Sequence, residues 1–279
     1  MSIRTLFISG LCMLFSLSAH AFDFDINKAI SLAKKAQQAT QTIDEPNEIE
    51  IGNGISAYLL GASPLIDDNR AQHYVNQVGR WLSLQTERPD LPWKFGILKT
   101  SGINAFATPG GTIFITHGLL QKLNNESELA GVLAHEMVHV LRKHHLAALQ
   151  KSARMDIASE LASQALKDKA DPAVLEKAIK AGTEVYARGL DKNDEFEADR
   201  MGIVIATRAG YDPYGLPAVL QMLEESNAQD SSLALMFKTH PAPRDRLSLL
   251  DKIMSDNFDA YPAPAQTDKR FSSELARHQ

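Results

Sequence analysis

His135-Glu136-Met137-Val138-His139 lies inside the run from Asn125 to Leu149, and the reading of that run decides the fold. Asn125 is a good N-cap, and Glu128, three residues on, completes a capping-box-like pair, so a helix starts here. No proline follows until Pro172, and the residues through Leu149 are mostly good helix formers. The helix is therefore expected to run past the motif. At about 100° per residue, His135 and His139 sit one turn apart on one edge. Leu129, Val132, Leu133 and Val140 form a separate apolar stripe. Two imidazoles so placed can hold one zinc ion. Glu136 then lies beside the open coordination position, where it can take a proton from a water acidified to a pKa of about 7. An ordinary amphipathic helix carrying two histidines by chance is the bland alternative, and the rarity of the pattern argues against it.

At 279 residues, 44% hydrophobic and 23% charged, the chain suits one ordinary globular domain with at most a small appendage. A net charge of −5 with no Lys/Arg cluster argues against a nucleic-acid partner. Arg4 is the only charge before Asp23, residues 6–17 form an apolar run, and Ala19-His20-Ala21 fits a small-x-small cleavage pattern. The run is shorter than the roughly 20 apolar residues of a membrane span. A cleavable signal peptide over 1–21 is therefore expected, with a mature chain in the periplasm that has no transmembrane segment. The single cysteine, Cys12, lies in this run behind Leu11, where lipidation would want a small residue. Cleavage after Ala21 would leave no cysteine, hence no disulfide and no thiol chemistry.

The fold class expected is α+β, mostly α, with a small sheet before the motif helix. A weak helical stripe spans 25–41, within an N-terminal helical segment over 22–44. Two further helices are read at 45–60 and 68–82, with His73 structural. Residues 93–98 and 112–116 read as strands, and Pro109-Gly110-Gly111 is a turn between 103–108 and the second of them. An exposed strand edge beside the cleft could bind an extended peptide by strand addition; a hairpin with no ligand is the plainer reading. Helices are expected at 153–166, 172–189, 193–209, 213–225 and 244–254, broken at Gly210-Tyr211-Asp212-Pro213 and His240-Pro241-Ala242-Pro243. The domain carrying the motif is placed at 45–257, and 258–279 reads as a loose polar tail.

Two histidines need a third protein ligand, and three residues compete for the place. His145 lies six residues after His139, as in the longer H-E-x-x-H-x-x-G-x-x-H pattern, but the position of the helix-breaking Gly holds Arg142. A continuing helix would point His145 about 120° away from His139, so His144 and His145 are expected at the surface. Glu160 misses known glutamate-ligand spacings by a residue or two. Glu195 opens a predicted helix with Asp199 one turn later on the same face. Glu195 could bind zinc while Asp199 orients a ligand histidine through its free ring nitrogen. Acids at a helix start are also favoured simply by the macrodipole, a reading that suits Glu197, which faces another side.

The H-E-M-V-H helix, the pair Glu195 and Asp199, and Asn104-Ala105-Phe106-Ala107 with Pro109-Gly110-Gly111 resemble the HtpX and CAAX-prenyl-protease family, family forty-eight of the metallopeptidases. The likeness is closest to its soluble, exported BepA-like branch. It covers roughly 45–254 and includes Leu59-Leu60-Gly61 and Arg88-Pro89-Asp90-Leu91-Pro92. The resemblance implies a gluzincin endopeptidase fold, Glu195 as third ligand beside His135 and His139, and one zinc ion (Zn2+) per chain. It also implies a role in envelope protein quality control, with unfolded or misassembled proteins as substrates. The helical-repeat domain of some members is not expected, because the chain ends soon after the peptidase region.

On this reading Glu136 is general base and then proton donor to the leaving amine. Arg246 is a candidate for stabilising the oxyanion, the plainer alternative being a surface arginine paired with Asp245 or Asp251. His240 stands before Pro241 and Pro243 on a constrained loop. It could donate a hydrogen bond to the oxyanion, or serve as a fourth zinc ligand that holds the site latent. The competing functional reading is a zinc-stabilised, chaperone-like binding or assembly factor with little proteolysis. A small aminopeptidase is a weaker third option.

Overall fold

The computed structural model describes residues 43–151, 189–226, 230–254, 258, 260–261 and 266–275. The expected signal segment, the helices read at 25–41 and 153–166, residues 172–188 and Glu160 lie outside them. Helix α1 (Glu45–Ala62) starts at Asp44, whose side chain accepts from the Asn47 amide, with Pro46 in the first turn. Helix α2 (Asn69–Ser83) is capped by Asp68 through the amides of Arg70 and Ala71. Its Tyr74, Val75, Val78 and Leu82 recur at helical spacing and are buried against the sheet.

Three short strands form that sheet: β1 (Lys94–Leu98), β2 (Ala105–Thr108) and β3 (Thr112–Thr116), in the order β1-β3-β2. β1 runs parallel to β3, with Phe95 opposite Ile113. β2 and β3 are an antiparallel hairpin, with Ala105 opposite Ile115 and Thr108 opposite Thr112. The hairpin turns through Gly110 and Gly111 at φ 78° and 101°, conformations that side chains rarely adopt. The turn is where the Pro109-Gly110-Gly111 signal put it, and the pairing of β3 with β1 leaves β2 at the sheet edge.

After the single turn α3 (His117–Leu120) comes α4 (Glu126–Leu141), the motif helix. Asn125 caps it by accepting from the Glu128 amide at 2.9 Å, and the Glu128 carboxylate returns to the Asn124 amide at 2.7 Å. All of α4 is buried, so it is a central helix whose buried surface extends well beyond the apolar stripe of Leu129, Val132, Leu133 and Val140. Leu129, Leu133 and Met137 are fully enclosed, each worth about 1.5–3 kcal/mol in apolar burial. The helix also stops earlier than its composition suggests. Arg142 is its C-cap, Lys143 takes φ 56°, and residues 144–151 are helical in a new direction.

Helix α5 (Lys192–Arg208) crosses α4 at close range, because a Cβ on Gly202 would lie 2.9 Å from the His135 backbone nitrogen. α6 (Gly215–Glu225), a 3-10 turn (Ser231–Leu233), α7 (Ala234–Thr239) and α8 (Pro243–Met254) complete the wall on that side. The reading of everything past Phe258 as a loose tail is corrected for 266–275, which form helix α9 (Gln266–Leu275). Phe271 is buried and meets the Tyr74 ring edge-on, and Arg270 pairs with Glu126 in the first turn of α4. Glu126 also accepts from the hydroxyls of Tyr74 and Tyr211, so its buried carboxylate is fully partnered. Polar composition hid this helix, because one buried aromatic and two ion pairs, Arg270 with Glu126 and Glu274 with Arg70, dock it.

Candidate active site

The α4 spacing places His135 and His139 side by side, with their Nε2 atoms 3.1 Å apart. On α5, Glu195, Asp199 and Gly202 fall on one stripe, and the missing side chain at Gly202 lets the two acids reach α4. Glu195 Oε2 lies 3.6 Å from His135 Nε2, and Oε1 lies 3.6 Å from His139 Nε2. One ligand atom from each of the three residues falls within 4.8 Å of the others, a cluster that could hold a metal ion. Glu195 is fully buried, yet its Oε1 has no hydrogen-bond partner. An unpartnered carboxylate oxygen in the interior is costly unless a cation meets it, so the donor set fits a metal.

Burial and neighbouring charges act differently on each group of this centre. Burial works against ionised Glu195, but His240 and His135 outweigh it and hold the carboxyl well below its usual range. Burial also disfavours a charged His135, while Asp199 and Glu195 raise it to about 9. Burial pushes His139 well below the usual imidazole range, leaving a neutral ligand nitrogen. Glu136, 3% exposed, is pushed up by burial. That is the direction a general base requires.

Asp199 stands where the sequence reading put it, with Oδ1 3.0 Å from His135 Nδ1. Burial would raise its pKa, but Arg246 brings it down to about 2. Arg246 is buried and forks onto Asp199, with Nε donating to Oδ2 at 2.8 Å and Nη2 to Oδ1 at 2.5 Å. It does not take the surface pairing with Asp245 or Asp251; Asp245 faces Lys192 instead. His240 comes from the break between α7 and α8. Its backbone N–H closes α7 on the Met236 carbonyl, while its ring turns inward to bring Nδ1 2.7 Å from Glu195 Oε2. One proline-bounded turn thus delivers both His240 and Arg246 to the centre.

Two histidines expected at the surface are part of this site. The reversal at Lys143 swings the chain back, so that His144, 6% exposed, places Nδ1 3.0 Å from His139 Nδ1. His145 lies 5.5 Å, ring to ring, from His139 and lines the cleft. Burial pushes both imidazoles down, His145 to about 3. The expectation failed because it assumed an unbroken helix, and a lysine gives no sequence signal for a left-handed turn. Glu197 is half-exposed, as its helix face implied, and pairs with Arg142. The cleft is bordered by Ala105 and Phe106 of edge strand β2, by Glu136, and by Gly189 and Leu190 opposite.

Comparison with known proteins agrees with this geometry. Residues 69–254 match the profile of Peptidase family M48. The chain is 30% identical over 255 residues to the beta-barrel assembly-enhancing protease of Escherichia coli K12, covering 86% of this chain and 52% of that protein. It is 27% identical over 248 residues to the metalloprotease YcaL of the same organism, covering 83% of this chain and 89% of that one. The mitochondrial metalloendopeptidase OMA1 of Schizosaccharomyces pombe is 24% identical over 183 residues, covering 64% and 52%. The chain therefore spans about half the length of the beta-barrel assembly-enhancing proteases it matches. With the histidine pair, the buried Glu136 and Glu195 on one centre and the family profile across the same elements, the chain belongs to Peptidase family M48, a family of metallopeptidases.

Proposed function

We propose that this chain is a zinc-dependent endopeptidase, one Zn2+ per chain, that cleaves unfolded or misassembled envelope proteins in the periplasm. The observation that carries the reading is the convergence of His135, His139 and the unpartnered Glu195 Oε1 beside buried Glu136. When bound, the ion would polarise the scissile carbonyl and acidify water to a pKa of about 7. Glu136 takes the proton of the attacking water and passes it to the leaving amine. Asp199, braced by Arg246, orients His135, so Arg246 acts by positioning. His240, which lines the cleft beside Glu195, is left as the candidate to serve the oxyanion or to latch the site.

Edge strand β2 at the cleft supports recognition of extended, unfolded chain through backbone hydrogen bonds that ignore side-chain identity. Export is supported by Arg4, the apolar run over 6–17 and Ala19-His20-Ala21. Among the described residues no helix is long and apolar enough to cross a membrane. The relatives named for beta-barrel assembly support an envelope client. The binding-factor alternative gives Glu136 nothing to do at the centre. Zinc-loaded protein incubated with a panel of unfolded proteins is expected to cut them, and Glu136→Gln to bind zinc without cutting. Equal cutting by both proteins would refute the reading.

A further inference from the structure

The two motif histidines present the same ring atom to the centre and differ in what holds the other. Both Nε2 atoms face each other and Glu195, so both Nδ1 atoms point away. His135 Nδ1 meets the carboxylate of Asp199 at 3.0 Å. His139 Nδ1 meets another imidazole nitrogen, Nδ1 of His144, at 3.0 Å. Two neutral imidazole nitrogens at that separation share one proton, one donating and one accepting. If His139 offers its Nε2 lone pair to an ion, its proton sits on Nδ1 and His144 must accept it. His144 then carries its own proton on Nε2. That atom faces Glu197 at 3.6 Å and Asp194 at 3.8 Å, and both carboxylates favour an N–H there.

We propose that His144 is the positioning residue for His139, accepting its Nδ1 proton so that the Nε2 lone pair is turned to the metal. This rests on the reading of His135, His139 and Glu195 as a metal site. The fold is built to make the contact. On an unbroken helix His144 would lie about 140° from His139. The break at Lys143 brings it back, and a non-glycine residue at φ 56° is disfavoured unless its surroundings hold it. They do so here: Lys143 Nζ lies 3.0 Å from the buried carboxylate of Glu48, which Arg88 also grips. Glu48 belongs to α1, which precedes the region matched by the family profile. A segment outside that region thus fixes the turn behind a ligand.

The test is zinc affinity by chelator competition, with thermal unfolding of the metal-free proteins alongside. His144→Leu fills the space without an acceptor and is expected to weaken zinc binding about 10–100-fold, with unfolding of the metal-free protein little changed. His144→Asn places an amide oxygen where Nδ1 stood and is expected to restore most of the loss. Leucine binding as tightly as wild type, or asparagine no better than leucine, overturns the proposal. Should His144→Leu fail to fold, long-range proton–nitrogen spectra of zinc-loaded wild type decide directly. A proton on His139 Nδ1 and on His144 Nε2 is expected, and a proton on His144 Nδ1 overturns it. Wild type that binds no zinc would instead refute the metal reading of the site, and the proposal with it.

Discussion

Gly202→Ala adds one methyl group outside the ligand set and should disturb the centre. The new Cβ would lie 2.9 Å from His135 N and 3.0 Å from His135 Cα, both backbone atoms that no side-chain rotation can move. Restoring an ordinary contact of 3.4 Å needs α5 to withdraw by roughly 0.5 Å. Glu195 and Asp199 ride on α5, and metal–ligand distances tolerate only about 0.2 Å. The shift exceeds the tolerance, so zinc affinity should fall by an estimated 10–100-fold, as for lost outer-sphere support. Helix propensity gains about 1 kcal/mol from alanine, and overpacking costs about 1–3 kcal/mol. Net stability should therefore fall by about 0–2 kcal/mol. Gly54→Ala in α1 is the control, because nothing lies within 4 Å of its Cβ. It should gain about 0.5–1 kcal/mol and leave zinc alone. Calorimetric unfolding and chelator competition on the two variants read both quantities. A Gly202→Ala protein stabilised like the control, with zinc affinity within about threefold of wild type, would refute the close-crossing argument.

Glu195→Ala should lose zinc and activity, whereas Glu160→Ala should keep both; metal analysis that finds full zinc in Glu195→Ala would sink the ligand assignment. His240→Ala separates two uses of that ring. A latch predicts zinc retained and faster cutting of an unfolded substrate, while service to the oxyanion predicts a loss of roughly a hundredfold or more with zinc retained. Glu48 has its carboxyl held below 4.5, because Arg88 and Lys143 outweigh the burial that would raise it. A depressed carboxylate stabilises the fold above its unfolded pKa, and the contribution is lost as pH falls through the folded value. Glu48→Gln should therefore cost about 1–3 kcal/mol at neutral pH and give a flatter stability curve below pH 4.5; an unchanged acid limb in urea titrations would count against the cluster.

What could be read without coordinates was whatever depends on neighbours in the chain. The cap at Asn125, the one-turn spacing of His135 and His139, and the glycines of the β2–β3 turn are local devices, so their outcome follows from residue type and period. Asp199 beside Glu195 was legible for the same reason, since one helical turn aligns them before anything packs against them. Which acid should join the histidines was not legible from spacing, and the family resemblance supplied it. Only the tertiary structure decided where α4 ends. That end depends on Glu48 of α1, far away in the chain, holding Lys143 in a turn that lysine does not favour by itself. The inward placement of His144 follows from that turn, the fork of Arg246 on Asp199 from the packing of α8 on α5, and the docking of α9 from two ion pairs and one aromatic ring. Local pattern sets which face a residue occupies, but the depth and partner of that face are fixed by elements distant in sequence, where contact energies outweigh intrinsic preference.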